Sequence, residues 1–223
     1  MPQARLPGPD DRTAILGSTG AGKTVFALRL LSTRNYSVRP CYIFDFKGDH
    51  HIAQLPAHRI DARKPPPRRP GLYVLRPRPS KDEQSILEDF FWRVYSNEDA
   101  IVFIDEGTMI APNNHGFRAL QTQGRSKYIE VITCSQRPVK LLKEVMTEAT
   151  FFAVFRLTNT QDRKTVAEWL PKDVYDPNTR LPERRCIWYD VGQDYGVELL
   201  PAPPPNEVIA SFHAVVGRQK RAI

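Results

Sequence analysis

Cysteine is scarce in this chain: there are three in 223 residues, Cys41, Cys134 and Cys186, widely spaced and never in a CxxC pair. That spacing argues against a disulfide framework or a zinc site and points to a reducing compartment. Long apolar runs are missing too. None approaches the ~18 residues that span a bilayer. Strips such as Ala100–Ile104 suit buried strands instead. Met1–Pro9 lacks the apolar core of a secretory signal, so the expectation is a chain with no leader and no transmembrane segment. There is no internal repeat.

Apolar residues make up 41% and charged residues 26%, enough to build a globular core. At ~150 residues per domain the length predicts a single domain over residues 1–223. The net charge is +7. The stretch from Arg59 to Lys81 holds eight basic residues and one acid, Asp61, so it alone matches that charge. It also holds Pro65, Pro66, Pro67, Pro70, Pro77 and Pro79, which preclude long regular elements. On charge alone, a polyanion-binding insert and a solvated loop explain this segment equally well. From about Pro201 the chain is proline-rich and then basic (Arg218, Lys220, Arg221), and reads as a flexible basic tail.

Between these features strands alternate with helices. Thr13–Leu16, Arg39–Asp45, Ile101–Asp105, Ile129–Ser135 and Phe151–Leu157 read as buried strands. Leu72–Leu75 reads as a short one, and Arg185–Asp190 with Val197–Leu200 as a late hairpin around Gly192. Helices are expected at Lys23–Ser32, after a capping box formed by Ser80 and Glu83, across Phe117–Gly124, and at Gln161–Leu170. Trp92, Trp169 and Trp188 sit in apolar contexts and read as core. The pattern predicts an α/β fold with a mainly parallel central sheet flanked by helices.

Gly17, Ser18, Thr19, Gly20, Ala21, Gly22, Lys23 and Thr24 spell GSTGAGKT between a strand and a helix. This is a phosphate-binding loop in the context the motif requires. Its glycines let backbone N–H groups approach phosphates closely. Lys23 can reach the β- and γ-phosphates, and the Thr24 hydroxyl can ligate Mg²⁺, so ATP with Mg²⁺ is the expected ligand.

Ile101–Asp105 ends in Asp105 and Glu106 at the strand's carboxyl end, which faces the ligand crevice of a parallel sheet. Asp105 suits the Mg²⁺ shell and Glu106 suits a general base on the attacking water. The strand Ile129–Ser135 is expected to lie between the other two, placing Gln136 near the γ-phosphate. Arg125 precedes that strand and by position alone reads as a surface arginine. His50 and His51 lack a third ligand at metal spacing.

Four segments together resemble the FtsK/HerA superfamily of DNA-pumping ATPases: GSTGAGKT, YIFDFKGDH (Tyr42–His50), IVFIDEG (Ile101–Gly107) and GRSKYIEVITCSQRP (Gly124–Pro138). The likeness covers roughly Thr13–Leu157. It implies a RecA-like P-loop NTPase core and a ring of subunits with ATP between neighbours. It assigns Arg125 as a finger acting in trans and Gln136 as a sensor. The short chain is most similar to the genome-packaging ATPases of tailless, membrane-containing double-jelly-roll DNA viruses. That group implies sequence-indifferent double-stranded DNA and capsid vertex proteins as partners, and the host cytoplasm and virion vertex as locations. A conjugation or plasmid-transfer pump of the same superfamily is the alternative. A nucleotide-gated capsid assembly factor that does not move DNA is another. The insert at about residues 59–81 matches no motif of the superfamily.

Overall fold

The computed structural model describes residues 5–193 and 195–221, without the side chains of residues 195–200 and 218–221. Its strands are β1 (Arg12–Leu16), β2 (Pro40–Phe44), β3 (His58–Ile60), β4 (Gly71–Leu75), β5 (Ala100–Ile104), β6 (Ile129–Ser135), β7 (Phe151–Phe155), β8 (Arg185–Asp190) and β9 (Tyr195–Pro201). They form one sheet in the order β3-β4-β2-β5-β6-β1-β7-β8-β9. The first seven in that order run parallel, and β8 and β9 are added antiparallel. The expected α/β sheet is therefore present, with β6 between β5 and β1.

Helices cover both faces, so the central strands read as continuous apolar runs. Alternate residues go to opposite sides: Leu16, Phe44, Val102 and Ile104 face one apolar cluster, and Ile15, Ile43, Ile101 and Phe103 face the other. The first cluster is closed by α3 (Glu83–Asn97) and α4 (His115–Thr122), through Leu87, Phe90, Phe91 and Phe117. The second is closed by α1 (Lys23–Leu31) and α7 (Pro205–Arg221), through Phe26, Leu28, Val208 and Phe212. The short helices α2 (His50–Ala53) and α5 (Lys143–Thr147), with α6 (Thr160–Ala167), complete the set.

The structure departs from the sequence expectations in four places. The segment read as a tail is the helix α7, whose Phe212 ring stacks on Tyr36 with centroids 6.0 Å apart. Val208 and Phe212 stand four residues apart on one face, and that buried pair holds the helix on the core. The side chains of Arg218, Lys220 and Arg221 lie outside the described set. The basic insert holds the expected strand as β4, paired along β2, but also an edge strand, β3, that was not expected. Asp82, not Ser80, occupies the N-cap of α3, and no side chain caps it. Trp92 is 40% exposed on α3, whereas Trp188 is buried as expected.

A buried ion pair fixes the amino edge of the sheet. Glu130 on β6 is fully buried, and Arg34 donates to both of its carboxylate oxygens, the shortest contact being 2.6 Å. Arg34→Ala leaves that carboxylate uncompensated and is expected to cost about 3–5 kcal/mol in denaturant unfolding. Arg34→Met with Glu130→Leu removes both charges and is expected to recover most of the loss. Equal destabilisation of the single and double variants would contradict this account.

Candidate nucleotide-binding and hydrolysis site

The loop Gly17–Thr24 leaves the carboxyl end of β1 and wraps the amino end of α1. The Gly17 N–H donates to Ser135 O at 3.1 Å and the Ser18 N–H to Arg156 O at 2.9 Å, tying the loop to β6 and to the end of β7. A Cβ at Gly17 would lie 2.6 Å from Phe155 Cβ. Gly22 caps α1 with φ of 106°, a left-handed conformation that favours glycine, and no side chain caps the helix. The first N–H groups of α1 are thus available at a helix end that attracts anions.

Lys23 is buried, with its Nζ donating to Ser18 O at 2.9 Å, and burial pushes its pKa down. The Thr24 hydroxyl donates to Asp105 Oδ1 at 2.8 Å. Asp105 sits just past β5, almost fully buried, and burial raises its pKa to about 6 against the opposing Thr24 hydrogen bond. One hydroxyl and one carboxylate side by side form a hard oxygen donor pair, which suits Mg²⁺ with waters completing its shell.

Glu106 is also buried. Lys47 Nζ donates to its Oε2 at 2.6 Å, and the Thr108 hydroxyl to its Oε1 at 2.9 Å. The Gln136 N–H reaches the same Oε1 at 3.4 Å. Gln136 accepts through Oε1 from the Thr19 hydroxyl at 2.6 Å, linking the end of β6 to the phosphate loop. Lys23, Thr24, Lys47, Asp105 and Gln136 all border one cleft of about 320 Å³.

The parallel register therefore brings the phosphate loop, both acids and Gln136 to one edge of the sheet. It does not bring Arg125 there. Arg125 lies on a 3₁₀ turn, Gly124–Lys127, ahead of β6, with its side chain 70% exposed and paired to Asp10 at 3.4 Å. The seven residues of β6 separate that turn from the cleft, about 20 Å at strand spacing.

Sequence reasoning gave no role to Lys47, although it lies inside a quoted segment. It matters because β2 and β5 are neighbours, which sets the residues after β2 beside Glu106. Asp45 braces the same turn: its Oδ1 accepts from the Asp49 N–H at 2.8 Å, and its Oδ2 pairs with Arg76 at 2.9 Å.

No protein-family model matches the chain. The chain is 35% identical over 225 residues to the DNA packaging ATPase P9 of Enterobacteria phage PRD1, and the match spans 97% of each protein. The chain belongs to the P9 family of DNA packaging ATPases. Among solved structures, the family fold is shared with the genome packaging NTPase B204 of Sulfolobus turreted icosahedral virus 2 in complex with AMP. The TM-score there is 0.65 at 14% identity, covering 88% of this chain and 100% of that one. The pCW3 conjugation coupling protein TcpA with ATPγS is similar at a TM-score of 0.56 and 15% identity, covering 91% of this chain and 65% of TcpA. At these identities the likeness is one of fold.

Proposed function

We propose that this chain is an ATP-driven motor that moves double-stranded DNA into a preformed viral capsid. The observation that carries the reading is the full-length similarity to a DNA packaging ATPase. Lys23, Thr24, Lys47 and Asp105 line one cleft, and Glu106 is bonded to Lys47 beside it, which gives the reading a chemistry. The conjugation reading has only a fold likeness behind it.

In this reading Gly17–Thr24 holds the triphosphate by its N–H groups, and Lys23 leaves Ser18 O to contact the β- and γ-phosphates. Thr24 and Asp105 would hold Mg²⁺, which when bound would offset the negative charge of the phosphates. Glu106 takes the proton of the attacking water. Its oxygens already accept from Lys47 and Thr108, and their remaining lone pairs are what a water would use. Gln136 would report the state of the γ-phosphate to β6, a role supported by its bond to Thr19. Arg125 completes the site of a neighbour in a ring, with the capsid vertex as the docking partner.

The basic insert meets this machinery at the same sheet edge. Arg59, Arg63, Arg76 and Arg78 line a second cleft of about 470 Å³. Arg76 also holds Asp45, which braces the turn carrying Lys47. DNA phosphates at these arginines would compete with Asp45 for Arg76 and so act on the turn that carries Lys47, the partner of Glu106. Duplex DNA of any sequence is therefore expected to stimulate ATP hydrolysis, with the stimulation falling steeply between about 50 and 200 mM salt. Steady-state hydrolysis that stays flat across a duplex titration at low salt would reject the motor.

A further inference from the structure

The cleft does not end at the phosphate loop. Past Thr24 and Val25 it runs on to His50 and His51 at the start of α2, to Arg184 ahead of β8, and to Pro205 at the start of α7. Three segments far apart in sequence converge there, and two of them are held against the phosphate loop. The Ala202 N–H donates to Arg184 O at 2.6 Å. Ala202 in turn presses on the loop, since a Cβ at Gly22 would lie 2.7 Å from its Cβ. Arg184 is held at φ of 56°, a left-handed conformation unfavourable for a side chain with a Cβ. Arg184 is an exposed residue with no ion pair found among the described residues. The His50 and His51 ring centroids are 3.6 Å apart.

We propose that His51, Arg184 and Pro205 form the base site of the bound nucleotide, a platform that takes a purine by its faces and leaves its edge unread. The proposal rests on the reading of this cleft as an ATP site and names the substrate class more closely. An imidazole and a guanidinium are planar groups that pack on the π-face of a base, and a proline ring adds an apolar wall. Several groups that would read a base edge are committed elsewhere. Asp49 Oδ1 caps α2 by accepting from the His51 and Ile52 N–H groups. Asp105 and Gln136 are bonded at the phosphate end, to Thr24 and Thr19. Burial lowers the His51 pKa, and nearby Arg184 adds to that shift, so the ring stays neutral near pH 7. The cleft of about 320 Å³ is at the small end of the ~300–1,000 Å³ range of ligand sites, which suits one nucleotide.

The experiment measures kcat and KM for ATP, GTP and CTP on the full chain, with inorganic tripolyphosphate as a competitive inhibitor. ATP and GTP are expected to have similar KM values and CTP a KM about tenfold higher, because stacking rewards the larger base. His51→Ala and Arg184→Gly should each raise the KM for ATP and GTP about tenfold, with kcat and the tripolyphosphate inhibition constant unchanged. Glycine at position 184 also relieves the left-handed backbone, so this variant removes the guanidinium without straining the fold. An ATP KM unchanged in both variants would overturn the base site. So would equal weakening of tripolyphosphate, or a CTP KM equal to that of ATP. Hydrolysis of no triphosphate by the unaltered chain would overturn the ATPase reading itself, and this site with it.

Discussion

Glu106→Gln is expected to keep ATP and stop hydrolysing it. The substitution preserves the shape of the side chain. A glutamine oxygen still accepts from Thr108 or Lys47, so the end of β5 keeps its arrangement. What is lost is a group able to take a proton from water. Removing a positioned general base costs about 10²–10⁴-fold, and kcat should fall within that range. The Kd for ATP should stay within a few-fold, because in the proposed reading Lys23 and the loop, not Glu106, hold the phosphates. The variant would accumulate as a nucleotide-loaded ring, seen by size and bound nucleotide together. Lys23→Ala provides the contrast, since it should lose binding and turnover alike. A Glu106→Gln chain that turns over within threefold of the unaltered chain would remove Glu106 from the chemistry.

The sheet's centre was legible because its strands are buried on both faces. β6 was read as Ile129–Ser135 and is found so, and β5 differs by one residue at each end. Exposed edges defeat that signal. The β3 strand, His58–Ile60, leaves its first two residues exposed and has no apolar run to betray it. Prolines from Pro201 to Pro205 and the basic end masked α7, although Val208 and Phe212 already stood at helical spacing.

The candidate site was legible as far as local spacing reaches. The phosphate loop, Asp105 and Glu106 each belong to one continuous segment. Arg184 and Pro205 have no such signature, and Lys47, although it lies in the segment YIFDFKGDH, has a partner that this segment does not show. They join the cleft only because β2 lies beside β5 and because the chain returns after β9 to press Ala202 against Gly22. Side chains that meet through sheet order, rather than through a shared segment, stay hidden until that order is known.

Arg125→Ala is expected to bind ATP normally and to lose about 10³-fold or more in turnover, the usual worth of an arginine finger. Its own cleft cannot account for such a loss, since the turn sits across the length of β6 from it. The turn is nonetheless well held. Arg12 is buried and donates to Gln121 O at 2.8 Å and Leu120 O at 2.9 Å, pinning the end of α4 just before it. The pairing of Arg125 with Asp10 is exposed and worth only about 0–1 kcal/mol, so the guanidinium is free to reach a neighbour and its removal leaves the fold intact. The decisive measurement mixes Arg125→Ala chains with Glu106→Gln chains, each inactive alone. In a head-to-tail ring a Glu106→Gln subunit still offers its arginine, and an Arg125→Ala subunit still offers its base. With random mixing in equal amounts, about a quarter of the interfaces contain both groups. Hydrolysis should therefore return to as much as about a quarter of the unaltered rate if interfaces act independently. A mixture as inactive as its parents would rule out action in trans, and full turnover by Arg125→Ala alone would show that this arginine carries no transition-state charge.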